Sequence, residues 1–370
     1  MTGARHLYVH LPFCSSRCGY CDFVTVVGRD GEHDRYVEAL LAELALEQGL
    51  LAERIESVYL GGGTPTLTSP GALERLLAAL PAADEVTVEA NPETVTPELA
   101  ALLSRNGVTR VSIGAQSFQM HLLDVLDRRA RPEDVRRALQ RVRDAGIDNS
   151  SLDLIYGIPG QEPSDLERDL AEALALEPEH ISAYELEAKP GTRFTHAHGI
   201  ELARQADAME DYFERVVETL TGAGYRWYET ASFCRRPELA GGRDLRARHN
   251  LGYWLGRDYL GLGVGAVSTI ENRRWRTAPS LPRYLAALGR GERPAREVEE
   301  LPDDVRATER VLLGLRLDEP LSLAGLEGAI DEREVERLAG GGLAVRGDGT
   351  LALTSRGRFL GGGVTARLLA

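Results

Sequence analysis

Three cysteines, Cys14, Cys18 and Cys21, lie within eight residues of the polar stretch HLPFCSSRCGYCDF, whereas the fourth, Cys234, is more than 200 residues away. A structural zinc site needs four ligands, which usually come from two separated Cys-x2-Cys pairs. Three thiolates from one loop suit three corners of a [4Fe–4S] cluster, whose fourth iron then stays open to another ligand. The spacing therefore favours such a cluster, with structural zinc completed by Cys234 or His10 as the alternative.

The elements that must position this loop repeat regularly along the first half of the chain. Short apolar segments alternate with segments of helical period, which predicts six β–α units and a parallel sheet with crossover helices. The predicted strands are 6–13, 55–62, 85–91, 110–117, 150–157 and 180–187, and the predicted helices are 34–52, 71–80, 97–107, 132–146, 163–176 and 203–224. Six strands fit a partial (β/α) barrel or an open doubly wound sheet, and both gather chemistry at the carboxyl ends of the strands.

Polar and glycine residues follow several of these strands. The cysteine loop follows the first strand, and the segment Gly62-Gly63-Thr64 ends the second. Glu89 lies at the end of the third strand, Gln116 ends the fourth, and Asp153 lies in the fifth. Because the carboxyl ends of parallel strands meet at one rim, we expect a single site there.

The pattern changes in the second half of the chain. Residues 231–296 are rich in glycine and arginine, and we treat them as a connecting segment after a barrel of residues 1–230. From 297 to 370, two helical segments are followed by a predicted hairpin at Gly347-Asp348-Gly349. This order predicts a small winged-helix-like α+β domain, for which internal packing is a better interpretation than DNA binding.

Composition and charge exclude several classes of protein. A net charge of −14 is the opposite of the basic surface with which proteins hold nucleic acid, so no nucleic-acid partner is expected. We find no apolar run long enough for a transmembrane helix and no secretory signal at the N-terminus. We therefore expect a cytoplasmic protein, in which clustered thiols stay reduced and bind metal.

The segment YVHLPFCSSRCGYCDF resembles the signature of radical S-adenosylmethionine (SAM) enzymes. Its flanking residues resemble the branch that holds the HemN-type coproporphyrinogen dehydrogenases and the HemW-type haem chaperones, and this resemblance extends from Tyr8 to the end of the chain. It implies a partial (β/α)6 barrel with a C-terminal domain. It also implies a [4Fe–4S] cluster on Cys14, Cys18 and Cys21, with SAM on the fourth iron, and reductive cleavage of SAM to methionine and a 5′-deoxyadenosyl radical.

The resemblance also assigns residues to SAM. It implies that SAM is bound by Tyr8, Tyr20, Gly62, Gly63, Thr64, Glu89, Gln116, Arg128, Asp153 and Val267. In HemN-type enzymes the residues at the positions of Gln116, Arg128 and Asp153 line the site, which includes a second SAM. An ordinary ion pair between Arg128 and Asp153 is the alternative for those two residues.

Departures from the dehydrogenase pattern favour the chaperone group. Phe23 stands where the dehydrogenases have a further cysteine, and Tyr8 is almost terminal where they carry a long N-terminal arm.

The segment HNLGYW also matches the His-Asn-x-x-Tyr-Trp motif of the haem-binding HemW group. The match implies haem contact by His249, Asn250, Tyr253 and Trp254. A neutral imidazole is a good ligand for iron, which makes His249 the candidate axial ligand. A packed core histidine is the alternative.

The sequence therefore predicts a haem chaperone that binds a cluster, SAM and haem and passes haem to a haem protein, expected in the respiratory chain. No catalytic residue is assigned, and relatives suggest cluster-dependent homodimers. The alternative function is that of an oxygen-independent coproporphyrinogen III dehydrogenase, and a structural zinc protein is the third possibility.

Overall fold

The computed structural model describes residues 3–189 and 193–369, in which strands and helices alternate along most of the chain. The strands are β1 (His6–Leu11), β2 (Phe13–Cys14), β3 (Val26–Val27), β4 (Ile55–Gly62), β5 (Ala83–Ala90), β6 (Arg110–Gln116), β7 (Ser150–Tyr156), β8 (His180–Glu185), β9 (Tyr225–Glu229), β10 (Ser232–Arg235), β11 (Tyr259–Leu262), β12 (Val267–Ile270), β13 (Arg273–Thr277), β14 (Arg296–Glu300), β15 (Leu321–Ser322), β16 (Ala344–Gly347) and β17 (Thr350–Leu353). All six predicted strands of the first half are present, with ends that differ by two residues at most.

The α-helices follow the same alternation. They are α1 (His33–Glu47), α2 (Pro70–Ala79), α3 (Pro97–Arg105), α4 (Met120–Val125), α5 (Pro132–Asp144), α6 (Pro163–Ala175), α7 (Arg193–Gln205), α8 (Met209–Gly222), α9 (Arg248–Trp254), α10 (Leu281–Leu288), α11 (Asp303–Gly314), α12 (Glu332–Gly340), α13 (Ser355–Phe359) and α14 (Gly361–Leu368). The prediction of one helix over 203–224 was wrong, because a short 3-10 turn at Ala206–Ala208 separates α7 from α8.

Local signals in the sequence fix where the crossover helices begin. Proline occupies the first position of α2, α3, α5 and α6, where its missing N–H costs no helical hydrogen bond. The side chain of Thr96 also caps α3 by accepting a backbone N–H from its first turn. These starts leave short loops after each strand, and the loops form the rim of the site.

One twelve-stranded sheet organises the molecule, in the order β14-β13-β12-β11-β1-β4-β5-β6-β7-β8-β10-β9. The six predicted strands β1 and β4 to β8 lie side by side and parallel, and β11 adds a further parallel strand beside β1. Antiparallel strands extend the sheet at both ends, so that β14 and β9 are its edges. The sheet is therefore open, as the prediction of a partial barrel requires.

The two faces of the parallel strands differ in chemistry. On β1, Leu7, Val9 and Leu11 are fully buried and belong to the large apolar core, which the crossover helices help to build. Alternate residues along a strand point to opposite faces, so His6, Tyr8 and His10 occupy the other face. The interior of the open barrel is consequently polar.

The C-terminal residues form a second, smaller core. Val311 on α11, Val335 on α12 and Leu351 on β17 are fully buried in it. The hairpin β16–β17 turns at Asp348-Gly349, where Gly349 adopts a positive φ of 63° that suits such a tight turn. Two helices followed by this hairpin confirm the expected winged-helix-like arrangement, whereas the division of the chain at 230 and 297 stays a prediction. No helix in the described parts of the chain is long and apolar enough to cross a membrane.

Replacing Leu152 by alanine should measure how much the sheet depends on its apolar face. Leu152 lies on β7 and is fully buried, so L152A should lower the free energy of unfolding by about 2–5 kcal/mol through lost burial and the cavity left behind. I200A is the control, because Ile200 is 69% exposed and its loss should change that free energy by less than about 0.5 kcal/mol. Urea unfolding followed by circular dichroism tests both, and equal effects would contradict the assignment of the core face.

Candidate functional site

A cavity of about 670 Å³ lies inside the open barrel. Its volume is in the range of pockets that enclose a drug-sized ligand. Twelve of the seventeen residues that the sequence singled out line it. They are Cys14, Cys18, Tyr20, Cys21, Gly62, Gly63, Thr64, Glu89, Gln116, Arg128, Asp153 and Asn250. The structure thus gathers residues from five strands and from the HNLGYW segment around one space.

Backbone hydrogen bonds hold the cysteine loop at the rim of this cavity. Gly63 donates its N–H to the carbonyl of Leu11 at 2.8 Å, and Thr64 donates to the carbonyl of Phe13 at 2.8 Å. A Cβ on Gly63 would lie 2.5 Å from the carbonyl carbon of Pro12, so only glycine permits this approach. The loop then places Cys14 Sγ 3.6 Å from the hydroxyl of Thr64.

All three loop cysteines are unpaired thiols of intermediate exposure. Burial raises the pKa of Cys14 and of Cys21, so both favour the neutral thiol until a cation stabilises the thiolate. In the described residues no group of three or more His, Cys, Asp or Glu side chains converges tightly enough for a single metal ion. In a cluster each thiolate binds a different iron, so a cluster does not need three thiols around one ion.

The two candidates for a fourth zinc ligand are engaged elsewhere. His10 accepts a hydrogen bond from Tyr8 at Nδ1 (3.0 Å) and donates from Nε2 to the carbonyl of Val24 (2.8 Å), and burial lowers its pKa to about 4. Cys234 is buried on β10, where it packs with Tyr228. These contacts disfavour the structural zinc alternative.

A chain of hydrogen bonds links Cys14 to Cys18 beneath the loop. Thr64, beside Cys14, accepts a hydrogen bond from Asn91 Nδ2 at 3.1 Å. Arg128 donates to Asn91 Oδ1 at 3.0 Å and approaches Cys18 Sγ at 3.8 Å. Sequence reasoning missed Asn91, although its place two residues after Glu89 at the end of a strand was a usable signal.

Two half-buried carboxyl groups line the same cavity. Glu89 accepts hydrogen bonds from Tyr59 Oη (2.7 Å) and the N–H of Gly62 (3.0 Å), and burial raises its pKa to about 7. Asp153 accepts from the hydroxyl of Ser112 at 3.1 Å, and burial raises its pKa too. Neither group forms an ion pair with Arg128 in the described structure, so the simple pair between Arg128 and Asp153 is not observed.

Gln116 adopts a backbone conformation that is unusual for a residue other than glycine. Its φ is 64°, and the pairing of β6 with β7 shifts register between Gly114 and Gln116. Such strain persists only where the surrounding structure holds it, and it concentrates at functional sites. The bulge ends β6 at the cavity wall, as expected for a residue that contacts a ligand.

Tyr8, Val267 and Tyr253 lie outside the main cavity and line a second one of about 230 Å³. Asp22 and Phe23, at the end of the cysteine loop, line both cavities. The two spaces are therefore neighbours on either side of that loop, and the predicted SAM residues are divided between them.

The HNLGYW residues take separate positions around α9. His249 is 2% exposed, with Nδ1 2.9 Å from the hydroxyl of Ser57 and Nε2 3.0 Å from that of Tyr253, and burial lowers its pKa to about 3. The ring matches the packed-histidine alternative, since an iron would have to displace Tyr253 to reach Nε2. The Arg316 guanidinium lies over the ring of Trp254 at 4.4 Å. Haem contact by the HNLGYW residues stays a prediction.

G63A should separate the cysteine loop from the cavity. The added Cβ would overlap backbone atoms of Pro12, so we expect a loss of about 1–3 kcal/mol or more in unfolding free energy and a lower content of iron and sulfide after anaerobic reconstitution. G71A is the matched control, because a Cβ on Gly71 would meet no atom within 4 Å. Equal iron content in G63A and G71A would contradict the conclusion that the close approach of Gly63 to Pro12 positions the cysteine loop.

Glu89 should also leave a signature in the pH dependence of stability. A folded pKa of about 7 against an ordinary value of 4.5 means that the folded state holds its proton more tightly, so wild type should lose stability relative to E89Q as the pH rises from about 4.5 to 7. Below and above that window the difference should stay constant. Urea unfolding of the apoprotein between pH 4.5 and 8 measures it, and parallel curves would refute the raised pKa.

The chain is similar to known proteins over nearly its whole length. Residues 8–173 match the family model described as Radical SAM superfamily. The chain is 39% identical to the haem chaperone HemW of Mycobacterium tuberculosis (strain ATCC 25618 / H37Rv), over 98% of this chain and 94% of that protein. It is 31% identical to the haem chaperone HemW of Bacillus subtilis (strain 168), over 99% of both.

Among solved structures, the fold resembles that of coproporphyrinogen III oxidase (HemN) from Escherichia coli, a radical SAM enzyme. The TM-score is 0.81 at 23% identity, covering 99% of this chain and 90% of that one. At this identity the likeness establishes the fold, including the partial barrel. The identity to the curated relatives over nearly the whole length goes further: the chain belongs to the radical SAM superfamily and, within it, to the HemW family.

Proposed function

We propose that this protein is a haem chaperone, which binds haem and delivers it to haem proteins. The observation that carries the proposal is the identity of 31–39% to curated haem chaperones over nearly the whole chain. Phe23 adds support, since it stands where the dehydrogenase pattern has a fourth cysteine, and the residue borders both cavities.

The residues present fit the two cofactors of the superfamily. Cys14, Cys18 and Cys21 would hold the [4Fe–4S] cluster, and they face a cavity whose wall supplies hydrogen-bond donors to two of the thiols. Glu89 offers carboxyl oxygens as acceptors, and the backbone at Gly62 is not covered by a side chain of its own. Both could therefore contact the amino acid end of SAM. When bound, the reduced cluster supplies the electron that cleaves SAM; in a chaperone both cofactors would support haem binding or transfer.

The two neighbouring cavities give room for SAM and a further ligand. Tyr8 and Val267, which resemblance assigns to SAM, line the smaller one, whereas Asn250 of the HNLGYW segment lines the larger one. A SAM that extends toward the smaller cavity would leave the deep part of the larger one free. We propose that haem occupies that part.

Three finer proposals rest on resemblance: the recipient is a respiratory haem protein, the chaperone acts as a cluster-dependent homodimer, and it works in the cytoplasm. The unpaired loop thiols suit a reducing compartment. The coproporphyrinogen dehydrogenase function remains the second candidate, because the fold matches that enzyme over 99% of this chain.

The decisive experiment compares haem transfer with porphyrin oxidation. The anaerobically reconstituted protein should take up haem stoichiometrically and pass it to an apo-haem protein, followed by absorbance and by recovery of the acceptor's activity. With coproporphyrinogen III, SAM and a reductant it should release no protoporphyrinogen. Formation of protoporphyrinogen would replace the chaperone proposal by the dehydrogenase one.

The ligand role of His249 can be tested against a matched histidine. His180 has the same surroundings, with Nδ1 2.9 Å from the hydroxyl of Ser151 and Nε2 2.8 Å from that of Tyr228. We propose that iron displaces Tyr253 from Nε2 of His249 when haem binds, so H249A should lose the axial-ligand signature in the absorbance spectrum of bound haem, and H180A should keep it. Y253F frees Nε2 of His249 and should strengthen haem binding.

Equal spectra in H249A and H180A would show that His249 is not the ligand. This outcome would leave the chaperone proposal standing on haem transfer alone.

A further inference from the structure

Arg110 is a buried cation whose charge acts on the carboxyl groups of Glu85, Glu89 and Asp153, but it donates no side-chain hydrogen bond to any of them. Arg110 lies at the start of β6 and is only 2% exposed, yet it lines the main cavity. Its guanidinium forms no hydrogen bond or ion pair with any residue in the described ranges, and Nε is fully shielded from water. The acids compensate the buried charge, whereas the guanidinium donors stay free, so they can bind an anionic ligand in the cavity that Arg110 lines.

Arg316 reaches the same cavity from the segment that follows α11. Its Nη2 and Nε donate to Oε1 of Glu229 at 2.7 and 3.1 Å, and its guanidinium stacks on Trp254. This leaves Nη1 without a partner among the described residues. Stacking and one anchored edge fix the plane of the guanidinium, so its free edge is preorganised for a planar acceptor.

The α9 segment has contacts near both arginines. Glu85 accepts hydrogen bonds from the N–H groups of Arg248 (3.0 Å) and His249 (3.4 Å) at the start of α9, and the charge of Arg110 acts on the same carboxyl. Asn250 follows on α9 and lines the cavity, adding an amide that can donate a hydrogen bond. Trp254, at the end of the same helix, carries Arg316.

Carboxyl groups line the same cavity as the arginines. The neighbouring acids of the cavity, Glu89 and Asp153, have raised pKa values because of burial, so they compensate the arginines less than exposed carboxylates would. Glu229 already occupies one edge of Arg316.

We infer that Arg110, Asn250 and the free edge of Arg316 form a carboxylate-binding subsite. The inference rests on the proposed function, and the ligand class it selects is a carboxylate-bearing tetrapyrrole, whose propionate groups would bind at this subsite. Propionates held here would set the orientation of the macrocycle relative to the cysteine loop.

The test compares haem with its dimethyl ester, which has the same ring but no carboxylate charge. Wild type should bind haem at least about tenfold more tightly than the ester, because charge-assisted pairs with guanidinium are among the stronger hydrogen bonds. R316Q and R110Q should each reduce this ratio, because each should weaken the binding of haem and leave the binding of the ester unchanged. Absorbance titrations of the full-length, reconstituted protein give both dissociation constants.

R358Q is the matched control. Arg358 also belongs to the C-terminal part, stacks on a tryptophan (Trp227, 3.6 Å) and donates to a carbonyl at 2.8 Å, but it does not line the cavity. The ratio of affinities should stay at the wild-type value in R358Q.

The outcomes separate the two proposals. Equal affinity of wild type for haem and its ester overturns the subsite and leaves the chaperone proposal intact. An unchanged ratio in folded R316Q and R110Q does the same, and circular dichroism identifies a variant that fails to fold, in which case the other arginine decides. If wild type binds neither compound, the proposed function fails and the subsite with it.

Discussion

The site depends on the way in which the pairing of β1 with β4 continues past the ends of both strands. Two further hydrogen bonds, from Gly63 to Leu11 and from Thr64 to Phe13, join the glycine turn to the start of the cysteine loop. Because Gly63 has no side chain, the two backbones can pass in contact. The thiol of Cys14 therefore meets the cavity wall at a place that the backbone sets, before any cofactor binds.

The same strands carry the second requirement, a polar barrel interior in which hydrogen bonds between strands pair buried polar groups. Buried polar groups are tolerated when they are paired, and the inner face pairs them across strands, as in Tyr59 with Glu89 and Ser112 with Asp153. Ser57 bridges His6 and His249 in the same way. The Arg110 guanidinium has no hydrogen-bond partner among the described residues, and we infer that a ligand supplies one.

Local patterns predicted much of this arrangement, because strand periodicity, proline at helix starts and the cysteine spacing are properties of short segments. They predicted the six parallel strands and the shared rim of the site. They did not predict that β11 pairs beside β1, since a partner from 250 residues along the chain leaves no local mark. Arg316 escaped for the same reason, and the contacts of His249 with Ser57 and Tyr253 depend on how α9 meets the barrel.

Phe23 bears both on the proposed function and on the shape of the site. Its side chain is 61% exposed beside the cysteine loop, at the point where the larger and the smaller cavity meet. An exposed aromatic ring gains free energy when an apolar surface covers it, and a flat macrocycle offers such a surface. Under the proposed function, the residue that replaces a cysteine thus contributes apolar contact at one edge of the ligand, while the arginines hold charge at the other.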